Sequence, residues 1–119
     1  MNEINSHKDL LVYQKSLDFV QNIYQLTAKF PEEEKFGLTS QMRRAAISIP
    51  SNIAEGAARQ FVKEYIQFLY VSLGSIVEIE TQLEIAKRLN FCIENSRLQE
   101  EIIHIKRMLI KLIQILKTK

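Results

Sequence analysis

This chain is poor in residues that break, cross-link or punctuate a fold. Its 119 residues hold one cysteine, two histidines, two prolines, three glycines and no tryptophan. A single Cys92 excludes an intrachain disulfide and a cysteine-rich metal site. That usage fits a reducing cytoplasm. So few prolines and glycines leave few turns and favour long helices. No segment approaches the roughly 18 uninterrupted apolar residues of a membrane span. The opening residues MNEINSHKDL lack the apolar run of a signal peptide. One soluble, cytoplasmic domain with no membrane partner is expected. The net charge of +2 is too small to argue for a polyanionic partner by itself.

What the chain does have is helical periodicity, in four blocks. The first spans about residues 10–29. Leu10, Tyr13, Leu17, Val20, Tyr24 and Thr27 recur at steps of three and four. Val12, Phe19, Ile23, Leu26 and Phe30 form a second stripe beside them. Pro31 ends the block, because the residue before a proline is pushed out of helical geometry. The second block spans about residues 38–59, with Thr39 or Ser40 as its expected cap. Leu38, Met42, Ala45 and Ile49 are its apolar stripe. The third spans about residues 62–89, with Ile66, Leu69, Leu73, Ile76, Glu80 and Leu83 in step. Gly74 interrupts it at a cost of ~1 kcal/mol relative to Ala, which implies close approach of a neighbouring helix. Asn90 is its expected stop. The fourth spans about residues 96–117, where Leu98, Ile102, Ile105, Leu109, Leu112 and Leu116 form a heptad seam. Ile103, Ile110 and Ile113 flank that seam as a second row.

Short connections between amphipathic helices imply an all-α, up-down-up-down antiparallel four-helix bundle. A bundle needs roughly one apolar stripe per helix, and blocks one and four show two each. Exposed extra rows are a solubility liability, so burial against further copies of the chain is expected.

Catalytic constellations are missing. His7 and His104 stand apart from any second histidine, cysteine or carboxylate pair at metal-ligand spacing. Glu101 and His104 make a single E-x-x-H, whereas a bundle di-metal site needs two. There is no glycine-rich phosphate loop and no serine nucleophile elbow. A non-enzymatic protein with no metal, cofactor or small-molecule substrate is expected.

Residues 36–60, FGLTSQMRRAAISIPSNIAEGAARQ, concentrate the unusual chemistry. Pro50 should kink the second helix, or else open a separate short one at its first turn. The Ala, Ser and Gly around it allow close packing. Arg43 and Arg44 point about 100° apart on a helix, so they cannot serve one stripe. Each needs a carboxylate, such as Glu78 or Glu80, a partner chain, as in a protein-binding scaffold, or a phosphate. Between residues 39 and 63 stand four basic residues (Arg43, Arg44, Arg59, Lys63) and one acid, Glu55. Glu55 has an i+4 partner in Arg59. Arg97, His104, Arg107 and Lys111 form a further basic stripe on the last helix.

The strings LVYQK at residues 11–15, FPEEEKFGL at 30–38, SQMRRAAISIPSNIAEG at 40–56 and LGSIVEIETQL at 73–83 carry a resemblance. Over residues 9–116 the chain resembles the bacterial four helix bundle protein family, first noted as reading frames in intervening sequences of 23S ribosomal RNA genes. That family is similar to the accessory variability proteins of diversity-generating retroelements. The resemblance implies a pentameric homo-oligomer without activity of its own, binding RNA or DNA and a reverse transcriptase through basic surfaces. The family's basic character maps here onto Arg43, Arg44, Arg59 and Lys63.

Overall fold

The computed structural model describes His7 and residues 10–119. The start of the family resemblance, at Asp9, lies outside the described residues. Those residues form four helices: α1 (Leu11–Thr27), α2 (Leu38–Ala57), α3 (Val62–Arg88) and α4 (Ser96–Lys117). A 3-10 turn at Glu32–Glu34 lies between α1 and α2. No strand occurs among the described residues. Each helix packs on its neighbours in sequence, and α1 closes against α4.

Local chemistry sets the boundaries. α3 stops at Asn90, whose φ of 64° is the left-handed conformation that asparagine tolerates. The Asn90 N–H then bonds the Lys87 carbonyl and the Phe91 N–H bonds that of Ala86, so two orphan carbonyls are satisfied. Phe91 turns back onto Phe30, their ring centroids 5.7 Å apart. α4 opens at Asn95, whose Oδ1 accepts from the Leu98 N–H at 3.1 Å. The cap of α2 differs from the expected Thr39 or Ser40. Gly37 is the N-cap residue, and Glu34 Oε1 accepts from the Leu38 N–H at 3.0 Å. A carboxylate serves better than a hydroxyl there, because it also faces the positive end of the helix dipole. Thr39 is instead buried.

The core takes one side of each helix. Phe19, Ile23, Met42, Ile49, Ile53, Leu69, Ile76, Ile79 and Leu109 are fully enclosed. Each such side chain stabilises the fold by about 1.5–3 kcal/mol. On α1 the second stripe is the buried one: Val12, Phe19, Ile23 and Phe30 point inward, while Leu17 and Tyr24 stay exposed. Ser16 and Thr27 complete that inward face. They are buried because their hydroxyls donate to the carbonyls of Tyr13 and Ile23 at 2.7 and 2.8 Å. On α4, Ile113 belongs to the core, and Leu112 and Leu116 lie at its edge.

The α2–α3 pair makes the closest approach. A Cβ on Gly56 would meet Phe68 Cβ at 2.8 Å and Tyr65 Cδ1 at 2.9 Å, so only glycine fits. Ser72 donates to the Ile49 carbonyl at 2.9 Å, and Ser75 to the Ser48 hydroxyl at 2.9 Å. α2 runs through Pro50 as one helix, which removes the alternative of a separate helix opening there. Gly74 does not admit a neighbour as expected. Nothing lies within 4 Å of where its Cβ would stand.

Candidate functional site

The four basic residues singled out in the sequence fall in two places. Arg43 and Arg44 lie on the second turn of α2, whereas Arg59 and Lys63 flank its far end and the start of α3. Fifteen residues separate Arg44 from Arg59, about 22 Å at 1.5 Å per residue. The fold does not join them into one cluster.

Their environments differ. Arg43 is half-buried and reaches back to the last turn of α1. Its Nε donates to Thr27 Oγ1 at 2.9 Å, and its Nη2 to the Tyr24 carbonyl at 3.3 Å. Its guanidinium lies 4.3 Å from the centroid of the Tyr24 ring. A cation over an aromatic face and at a helix C-terminus is favoured by both quadrupole and dipole. Arg44 is exposed and forms no ion pair among the described residues. Arg59 lies over Phe68 at 4.7 Å rather than pairing with Glu55. Lys63 is exposed and likewise has no ion pair among the described residues.

The carboxylates expected to hold the arginines are engaged elsewhere. Glu80 accepts from Lys106 of α4 at 3.0 Å. Glu78 accepts from Gln82 at 3.3 Å. The remaining ion pairs gather where α3 meets α4: Lys87 with Glu84 and Glu94, and Arg88 with Glu84. Arg88 and Lys87 hold the Glu84 carboxyl below the usual carboxylate range, and Lys87 does the same for Glu94. Glu94 in turn raises the Lys87 ammonium. Cys92 is half-buried beside this cluster, and burial pushes its thiol up, which makes it a poor nucleophile at neutral pH.

One residue escaped sequence reasoning. Phe36, between the 3-10 turn and α2, is 90% exposed. It stands outside every periodic stripe, and that isolation beside Lys35 was the signal available. A surface groove of about 470 Å³ runs from Phe36 along α2 to Tyr24 on α1. Lys35, Arg43 and Arg44 also line it, and no carboxylate does. A second groove of about 450 Å³ shares Phe36 and Arg44 and extends to Ser75 and Glu78 on α3. A third, of about 310 Å³ between α1 and α4, mixes both signs of charge: Lys15, Arg97 and His104 with Asp18 and Glu101. There Asn22 Nδ2 donates to both Glu101 oxygens at 3.0 and 2.8 Å. Among the described residues no cluster of three His, Cys, Asp or Glu side chains could hold a metal. No helix among them is long and apolar enough to cross a membrane.

An all-helical fold with a cationic groove free of carboxylates between α1 and α2 places the described residues among small helical proteins. The chain belongs to the 23S rRNA-intervening sequence protein family, whose model matches residues 8–111. It is similar to a solved protein of unknown function from the S23 ribosomal protein family of Bacteroides thetaiotaomicron, at 29% identity. That match covers 87% of this chain and 96% of the other, with a TM-score of 0.77. No curated protein matches the chain.

Proposed function

We propose that this chain is a non-enzymatic, homo-oligomeric nucleic-acid-binding protein of the cytoplasm. The observation that carries the reading is the exposure of Arg44 on α2 and Lys63 on α3. The ion pairs use Lys87, Arg88 and Lys106, while Arg44 and Lys63 have no carboxylate partner among the described residues. Unneutralised cations on a rigid helix are what phosphate contacts require. A single copy offers few such contacts, and repetition around a ring of copies multiplies them. The pentamer implied by the family resemblance is the form we propose, built from an up-down-up-down bundle with α2 bent at Pro50.

Exposed apolar side chains support assembly. Tyr70 and Val77 on α3, and Ile103 and Ile110 on α4, all face solvent in the isolated chain. At about 25 cal/mol per Å² of apolar surface removed from water, pairing such faces is favourable.

Salt-dependent binding tests the reading. Fluorescence anisotropy with labelled RNA and DNA should give affinities that fall steeply with salt. Arg44→Ala should weaken binding and lower the salt slope by about 0.7–0.9 for one lost phosphate contact. Unchanged affinity and slope in a normally assembled Arg44→Ala protein would remove Arg44 from the site.

A second reading is a protein-binding scaffold whose arginines are structural. The Arg43 contacts with Thr27 and Tyr24 favour it for that residue. Under it, arginine substitutions lower stability or disrupt assembly and leave no nucleic-acid binding to lose.

A further inference from the structure

We propose that the groove between Phe36 and Tyr24 is a single-strand subsite: an unstacked base lies on the Phe36 ring, and its phosphate engages Arg44. The inference rests on the nucleic-acid reading above and names the kind of strand that reading leaves open.

The groove's composition argues for it. Two aromatic rings, Phe36 and Tyr24, alternate with three cations, Lys35, Arg43 and Arg44, and no carboxylate intervenes. Aromatic platforms interleaved with positive charge are how single strands are held, because every base has a π-face and every nucleotide a phosphate. A duplex keeps its base faces stacked on one another, so it cannot use such a platform.

The backbone that carries the ring is tied down. The Lys35 N–H bonds the Glu32 carbonyl at 3.0 Å, and the Gly37 N–H that of Glu34 at 2.9 Å. Glu34 Oε1 then fixes the Leu38 N–H. Backbone on both sides of Phe36 is thus held while its side chain is left in water. A base that stacks there has only the side-chain torsions of Phe36 left to order, which lowers the entropy cost. Lys35 Nζ, 5.7 Å from the ring centroid, adds positive charge to the same place.

Electrostatics sets the direction of the strand. Glu78 on the second groove repels phosphate from the α3 side. Arg44 borders both grooves, and Arg43 is already committed to Tyr24 and Thr27. The free guanidinium is therefore Arg44, and the backbone passes on the α1 side of it.

The test uses the full chain with a short unstructured RNA, its DNA counterpart and the matching duplex. Phe36→Ala should weaken single-strand binding by about fivefold to a hundredfold, the effect of losing one stacked base, and leave duplex binding unchanged. Phe36→Tyr should retain it. Phe36→Trp supplies the sole tryptophan, since the chain has none, and its fluorescence should quench with single strands and not with duplex. If Phe36→Ala binds single strands like the parent while Arg44→Ala does not, the stacking subsite is wrong and the nucleic-acid reading stands. If the parent binds no nucleic acid at moderate salt, both fall. If Phe36→Ala instead changes the sedimentation of the assembly, the ring is an interface between copies and the subsite is overturned.

Discussion

Arg43 Nε donates to Thr27 Oγ1 at 2.9 Å, and the same hydroxyl donates a hydrogen bond to the Ile23 carbonyl. This two-step relay joins the second turn of α2 to the last turn of α1. Truncating Arg43 leaves the buried Thr27 hydroxyl with one partner fewer and bares the Tyr24 face. Arg43→Ala should therefore destabilise the fold by about 1–2 kcal/mol. Arg44 is exposed and makes no ion pair among the described residues, so Arg44→Ala should stay within about 0.5 kcal/mol of the parent. Urea unfolding of the two variants side by side checks the contrast, and equal losses would count against it.

Gly56 and Gly74 should respond oppositely to the same substitution. Gly56→Ala forces Phe68 and Tyr65 away and should cost about 1–3 kcal/mol. Gly74→Ala meets open space within one chain and should gain up to about 1 kcal/mol from helix propensity. Thermal melts at low and high protein concentration read both. A Gly74→Ala variant destabilised only when concentrated would mean that another copy packs there.

Assembly through the α3–α4 face makes a separate prediction. Ile103→Glu together with Ile110→Glu should yield a folded, smaller species by sedimentation. Both side chains are exposed in the single chain, so its helicity should survive. A parent that sediments as a clean monomer at micromolar concentration would end the proposal.

The Lys87 network gives stability a modest pH dependence. Glu84 and Glu94 titrate below their unfolded values in the folded state. Their contribution is present above the unfolded carboxylate pKa, roughly 4.3, and is lost as pH falls through the depressed folded values. Lys87 is raised. Its contribution is complete below the unfolded lysine value, about 10.4, and disappears as pH rises through the folded one. Lys87→Met should move the acid-unfolding midpoint slightly upward. At about 1 M salt, where the Debye length is near 3 Å, the difference should shrink. An acid midpoint indifferent to both changes would show that the network contributes nothing.

The stops at Pro31 and Asn90 were legible because they are local chemistry, acting through backbone groups a few residues away, whereas the caps at Gly37 and Asn95 were not read. Which of the two α1 stripes faces the core was not legible. Ser16 breaks the Val12–Phe19 stripe when hydrophobic residues are counted, yet its hydroxyl is satisfied within its own helix and behaves as an apolar filler. The partner of Glu80 was not legible, because periodicity says which residues share a face and not which helix lies opposite. Lys106 rather than an arginine of α2 occupies that place. In the candidate groove Arg43 and Arg44 were visible in sequence, and Lys35 was not singled out. The ring of Phe36 was not, since exposure at a helix entrance depends on where the tied-down backbone aims it.

Asn22 and Glu101 bond across 79 residues of chain. The other helix pairings join neighbours in sequence. Such a topology has low contact order, so the helix pairs α1–α2, α2–α3 and α3–α4 can each form after a short loop closure. The α1–α4 seam has to wait until residues 96–117 have been made. Until then the side of α1 that carries Asn22 stays uncovered, and a label near Asn22 would report the moment α4 closes on it.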